Sequence, residues 1–119
     1  MGSKNCDCSL TDAALSSRRL DTLLHVLSDR YRRQILYYAV EEEHDVLQHS
    51  EVVDHLIRWN RDLGEADRDS LRARLHHAAL PKLADAGLLD YDTRSKTIRY
   101  RGDSCLDEVI PLLSAVEFG

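Results

Sequence analysis

Apolar residues recur at spacings of three and four near the start of the chain. Leu20, Leu23, Leu24 and Leu27 mark one face of a helix beginning near Leu15. Ser28-Asp29 interrupts the pattern, and Asp29 suits the N-cap of a second helix running to about Glu43. Tyr31, Ile35, Leu36, Ala39 and Val40 are its apolar positions, and Glu41 to Asp45 reads as a polar connector. Ser50 is the next expected N-cap, before a short amphipathic helix with Val52, Val53, Leu56, Ile57 and Trp59. Asn60 to Asp67 is polar, contains Gly64 and reads as a loop.

A longer helix opens at Asp67-Arg68-Asp69-Ser70, with carboxylates in the first turn where the helix dipole favours them. Leu71, Leu75, Ala78 and Ala79 form one stripe. Leu80, Leu83 and Ala86 continue it about half a turn out of phase. Pro81 sits at that phase change. Proline lacks an N–H and its ring presses on the carbonyl four residues back, so a bend or break is expected near Ala79 to Pro81. Gly87 then supplies a left-handed C-cap.

After Gly87 the period changes to two. Leu89 and Tyr91, then Ile98 and Tyr100, alternate with polar residues across the turn Thr93-Arg94-Ser95-Lys96, which predicts a β-hairpin. Asp103 or Ser104 can cap a last helix bearing Leu106, Val109, Ile110, Leu112, Leu113 and Val116, with Pro111 expected to limit its first turns. The predicted fold class is mainly α with a small β-hairpin. Its order, α-α-α-α-β-β-α, is the plan of a winged helix-turn-helix, in which the second helix of a pair enters the major groove and the hairpin touches the adjacent backbone or minor groove.

A length of 119 residues suits one domain. Residues 1–14 are polar and aperiodic, and are expected to be a mobile N-terminal tail ahead of a domain spanning 15–119. No run of about 18 apolar residues predicts a membrane span, and no signal-peptide pattern opens the chain, so a cytoplasmic location is expected. Cys6, Cys8 and Cys105 are an odd number in a chain expected to be cytosolic, which argues against a disulfide framework. No nucleophile motif, phosphate loop or metal-hydrolase signature appears, so the chain is not expected to be an enzyme and no cofactor is implied.

The net charge of −5 argues against a nucleic-acid binder at first sight. Its distribution changes that. Arg68, Arg72 and Arg74 cluster on the long helix, and Arg94, Lys96, Arg99 and Arg101 cluster on the hairpin. The chain has 13 Arg against 3 Lys and 14 Asp against 7 Glu, an acidic, lysine-poor balance associated with salt-loving microbes.

The segment Leu80-Pro81-Lys82-Leu83-Ala84-Asp85-Ala86-Gly87-Leu88-Leu89 resembles the end of the recognition helix in ArsR-like and MarR-like regulators, where leucines seat the helix, a glycine ends it and the wing follows. More broadly, Leu23 to Tyr38, Leu75 to Leu83 and Ala86 to Asp92 resemble winged-helix proteins common in halophilic archaea, over roughly residues 20–101. The resemblance implies a transcription-regulator-like DNA-binding module.

With Leu71 and Leu75 facing the core, Ser70, Ala73 and His77 fall on the opposite side of the helix. The expected contacts to double-stranded DNA are Arg68, Ser70, Arg72, Arg74 and His77 on the helix about 67–86, and Arg94, Lys96 and Arg99 on the wing about 88–101. Arginine grips guanine through two hydrogen bonds, and hydroxyl or imidazole groups reach bases or phosphates. Arg30, Arg32 and Arg33 form another basic patch, suited either to phosphate or to pairing with Asp29 and Glu41 to Glu43.

Two other readings fit the sequence. The apolar terminal helices suit a homodimer, and with the acidic charge they also suit a protein–protein adaptor without strong DNA binding. Cys6-x-Cys8 is a weak candidate for a metal- or redox-responsive site, its spacing being unlike that of structural zinc ligands. His76 and His77 are adjacent, point about 100° apart on a helix, and are poorly placed to share a metal.

Overall fold

The computed structural model describes residues 17–42, 46–102 and 104–118. The tail 1–14, Leu15 and the candidate cap Asp103 lie outside the described residues. The chain is mainly helical with a small antiparallel sheet. Helices α1 (Ser17–Leu27) and α2 (Arg30–Glu41) are followed by β1 (Leu47–Gln48) and α3 (His49–Trp59). A 3₁₀ turn (Glu65–Asp67) leads into α4 (Arg68–Arg74), a π-helical turn (Leu75–Ala79) and α5 (Leu80–Asp85). The strands β2 (Leu89–Asp92) and β3 (Thr97–Tyr100) and helix α6 (Ser104–Phe118) complete it.

Helix α2 is central. Asp29 caps it as expected, its carboxylate accepting the Arg32 N–H at 3.1 Å. Ile35, Leu36, Tyr37 and Ala39 are all buried, so neighbours cover the helix on nearly every side. Gln34 is buried too, and it exchanges hydrogen bonds with Asn60, with Gln34 Nε2 donating at 3.2 Å and Asn60 Nδ2 donating at 2.6 Å. Asn60 Nδ2 also reaches the Leu56 carbonyl at 2.7 Å. A residue expected at the start of an open loop is thus a buried C-cap, its amide satisfied by a second buried amide.

Each arginine of the basic patch at the start of α2 has a partner within the fold, at the end of α1, in the C-terminal helix or at Asp62. Arg32 is buried, and its guanidinium donates to the Val26 and His25 carbonyls at 2.9 Å each, satisfying acceptors at the end of α1. Arg33 forms two hydrogen bonds to Glu117, both 3.0 Å, and Arg30 pairs with Asp62 at 3.3 Å.

On α1 the buried positions are Leu23 and Val26, while Leu20 and Leu24 of the expected stripe are exposed. The two buried positions join the core that the helix shares with α2. Helix α3 starts one residue earlier than Ser50, with Gln48 as N-cap and Glu51 closing a capping box onto the Gln48 N–H at 2.8 Å. Asp67 likewise closes the 3₁₀ turn, accepting the Gly64 N–H at 2.8 Å, and is not a side-chain cap of α4.

The bend expected near Pro81 takes the form of the π turn. The Leu80 N–H bonds to the Leu75 carbonyl, five residues back, so one extra residue is accommodated and the helix continues. This frees the carbonyl region that the Pro81 ring would strike. It also rotates the buried stripe: Leu71, Leu75 and Ala79 are buried before it, Leu80 and Leu83 after it, and Ala78 is exposed. Pro111 lies inside α6 without ending it. At the end of α5, Gly87 adopts φ +80. Its N–H reaches the Ala84 carbonyl at 2.9 Å and the Leu88 N–H reaches the Leu83 carbonyl at 3.1 Å, a Schellman motif whose flanking Leu83 and Leu88 are both buried.

The hairpin forms as predicted, with Tyr91 opposite Ile98 and Leu89 opposite Tyr100. The unexpected element is β1, which pairs with β3 through Leu47 opposite Ile98, giving the sheet order β1-β3-β2. It pins the hairpin's second strand to the start of α3. Among the described residues no helix is long and apolar enough to cross a membrane.

Candidate nucleic-acid interface

The outward face of α4 and its π turn carries Ser70, Ala73 and His77, all exposed, opposite the buried Leu71 and Leu75. Three of the expected helix contacts are already engaged in the fold. Arg68 bonds to Glu65 at 2.6 Å and to Asp54, which hold its guanidinium pKa above its ordinary value. Arg74 lies 3.6 Å from Asp29 and stacks over the Tyr31 ring at 5.0 Å. Arg72 is only loosely paired, 4.0 Å from an exposed Asp69 carboxylate.

The hairpin residues 89–101 bring four cations against two carboxylates, Asp90 and Asp92. Asp90 pairs with Arg101 at 3.2 Å. Asp92 accepts the Arg94 N–H at 3.0 Å, a bond that shapes the turn and lowers the carboxyl pKa. Arg94, Lys96 and Arg99 are exposed. Lys96 has φ +58, the left-handed region that disfavours side chains other than those of Gly, Asn and Asp. That conformation accompanies two main-chain bonds: the Lys96 N–H donates to Asp92 O at 2.7 Å, and its carbonyl accepts the His49 N–H at 2.9 Å.

Helix and hairpin meet at a polar cavity of about 250 Å³ lined by Gln48, His49, Ser50, Arg72, Ser95 and Lys96. His49 is 3% exposed with its Nε2 buried, and the main chain of Arg72 is the polar group that its ring meets. Burial lowers its pKa, with the Arg72 carbonyl pulling the other way and the charges of His76, Lys96 and Arg72 reinforcing the decrease. Behind it, His76 Nδ1 and the Tyr91 hydroxyl share a hydrogen bond at 2.6 Å, which ties the π turn to β2. Sequence reasoning named Arg72 and Lys96 but missed Gln48, His49, Ser50 and Ser95. Gln48, His49 and Ser50 reach the cavity because β1 carries the start of α3 to the hairpin, whose turn holds Ser95.

Among the described residues, α1 and α6 also carry exposed apolar side chains. Leu24 is 56% exposed and Val116 85%. With Leu27, Val109 and Leu113 they line an open groove of about 530 Å³, to which Arg33, Tyr37 and Glu117 also contribute. Among the described residues no group of three His, Cys, Asp or Glu side chains is placed to hold a metal ion. Cys6 and Cys8 lie outside those residues, as does the Cys105 side chain.

A family model described as "Domain of unknown function (DUF7344)" matches residues 24–99, and the chain belongs to that family. No curated protein and no solved structure matches it.

Proposed function

We propose that this chain is a DNA-binding transcriptional regulator with a winged helix-turn-helix of ArsR-like type. Residues 67–86 serve as the recognition helix in the major groove, and residues 88–101 form the wing on the backbone or minor groove. The observation that carries this reading is the meeting of helix and hairpin: Arg72 of one and Lys96 of the other line the same cavity. Two cationic elements converging on one side suit a polyanion whose backbone passes between them. The pairing of β1 with β3 supports a wing held at a fixed angle to the helices. Ser70 and His77, exposed on the outer face, are the side chains available for base edges, while Arg68 and Arg74 help position the helix through Asp54, Glu65, Asp29 and Tyr31.

The chain acts as a homodimer in this reading, using the apolar groove between the terminal helices. Exposed Leu24, Leu112 and Val116 give a second copy an apolar face to cover, and a dimer offers two recognition helices to two half-sites. The same groove favours an adaptor as the second reading, one that dimerises or binds a protein without gripping DNA.

Selection of the full chain on a random duplex pool, with sequencing of the bound fraction at moderate and molar potassium chloride, separates these readings. Sedimentation of the same sample gives the oligomeric state. An enriched motif with half-sites about one helical turn apart is expected. Retention of no duplex at either salt, with a dimer in sedimentation, overturns the regulator in favour of the adaptor.

A further inference from the structure

We infer that Tyr91 and His76 are positioning residues that fix the ring of His77, so that the wing sets how one reading side chain of the recognition helix is aimed; the inference rests on the regulator reading above. Tyr91 lies on β2, and His76 and His77 are neighbours in the π turn. The Tyr91 hydroxyl and His76 Nδ1 share a hydrogen bond at 2.6 Å. Whichever of the two donates, the bond turns Nδ1 and not the carbon edge of the ring towards Tyr91, and so fixes the rotation of the imidazole. The His76 ring in turn stands edge-to-face against the His77 ring, with centroids 4.8 Å apart and planes at 78°.

Two more contacts hold the same ring. His49, buried at the start of α3, meets it edge-to-face at 6.2 Å, and the Tyr91 ring meets it at 5.6 Å. His76 is therefore half-buried among three elements, the start of α3, the π turn and β2, while His77 stands exposed on the outer face. Strand β1 bears on this as well, because its pairing with β3 holds the hairpin to the start of α3, where His49 sits.

An exposed side chain ordinarily samples several rotamers and gives up that freedom on binding. A ring set beforehand against a fixed neighbour has less to give up, and it discriminates between base edges that a mobile ring would accommodate. Tyr91 thus couples the position of the wing to the sequence preference of the helix, without itself touching a base.

The test uses the full chain, Tyr91→Phe, His76→Gln and His77→Ala. Tyr91→Phe removes one hydroxyl and keeps the ring. His76→Gln removes the ring by a change on the other side of the hydrogen bond, and gives an independent reading because Tyr91 is half-buried. Three-bond Hα–Hβ couplings of His77 in the unbound protein report its rotamers. Selection on a random duplex pool reports base preference, and binding of a short labelled duplex is followed against potassium chloride. One dominant His77 rotamer is expected in the wild type, and an average over rotamers in both relay variants. The position whose preference disappears in His77→Ala should lose its preference several-fold in Tyr91→Phe and His76→Gln. The salt dependence should stay that of the wild type, because no phosphate contact is removed. A merely structural role would weaken binding to all sequences alike and leave the preference unchanged.

Averaged couplings already in the wild type, or one rotamer kept in both relay variants, overturn the relay, and duplex binding by the wild type then leaves the regulator standing. Averaged couplings in the variants with an unchanged preference, or a His77→Ala pool identical to that of the wild type, overturn the reading role and again leave the regulator standing. Retention of no duplex by the wild type overturns both.

Discussion

Arg33 and Glu117 stand far apart in sequence and face each other through two parallel hydrogen bonds of 3.0 Å, joining the central helix to the last turn of the C-terminal one. Tyr37 adds its hydroxyl to the same carboxylate at 2.7 Å, and burial with that contact pushes the phenol pKa to about 12. Hydrogen bonds to a charged group in partly buried surroundings contribute more than surface ion pairs do. Glu117→Gln is expected to cost about 1–3 kcal/mol in urea unfolding. Arg33, then Tyr37, hold the Glu117 carboxyl below its ordinary range. The unfolded chain therefore takes up this proton more readily. The contribution is complete above the ordinary value of 4.5, and it is lost as pH falls through the lower folded value. The variant should lose that acid-limb dependence, and an unchanged limb would remove Glu117 from the explanation.

The Gln34–Asn60 pair is buried on both sides, so breaking one half leaves the other without a partner. Asn60→Leu alone should destabilise by about 1–3 kcal/mol, and Gln34→Leu/Asn60→Leu by clearly less than the sum of the singles. Additive values in chemical denaturation would show that the amides do not depend on each other.

His49 and His55 both have pKa values lowered from 6.5, chiefly by burial. Each binds a proton more readily in the unfolded chain, so stability is complete above about pH 6.5 and falls as the pH drops below it towards the folded values. His49→Gln should flatten this region of a stability–pH curve. A curve of unchanged shape would mean that His49 does not titrate there.

Gly87 and Lys96 share the left-handed region and should respond in opposite ways to replacement. A Cβ added at Gly87 meets nothing within 4 Å, so Gly87→Ala is limited to backbone strain of about 1–2 kcal/mol. Lys96→Gly removes comparable strain and should leave the melting temperature equal or higher while weakening duplex binding. Loss of both stability and binding would make Lys96 a structural residue.

Arg94→Ala should weaken binding to all duplex sequences alike, whereas Ser70→Ala should change preference among sequences by about 1–3 kcal/mol, the size of one base-edge interaction. Sequencing of duplexes selected by each variant reads the difference directly. If neither variant changes the selected pool or its retention, the helix-and-wing assignment fails.

Much of the architecture was legible in the spacing of apolar residues. The Asp29 cap, the Gly87 stop and the hairpin of alternating residues after it each follow from a local rule that needs no tertiary partner. Strand β1 was not legible, because two residues carry no period and Leu47 becomes strand only by pairing with Ile98. The stripe on α1 misled for a related reason: Leu20 and Leu24 have the right spacing, but no neighbour among the described residues buries them. For the site, charge clustering picked out Arg72 and Lys96. It could not separate them from Arg68 and Arg74, whose carboxylate partners at Asp54 and Asp29 come from other elements. Nor could it find Ser50, a common polar residue that joins the cavity only through where β1 delivers it.

The π turn links two characters of the chain that look independent. Deleting Ala78 alone would return the helix to ordinary winding and bring the ring of Pro81 against a carbonyl. Replacing Pro81 alone would leave the extra residue, because Leu71 and Leu75 on one side and Leu80 and Leu83 on the other still need the rotation between them. Only the paired change yields an uninterrupted helix with the same buried stripe. Chain length and proline at this place should therefore be inherited together: a relative one residue shorter here is expected to lack the proline, and a relative that keeps the proline is expected to keep the extra residue.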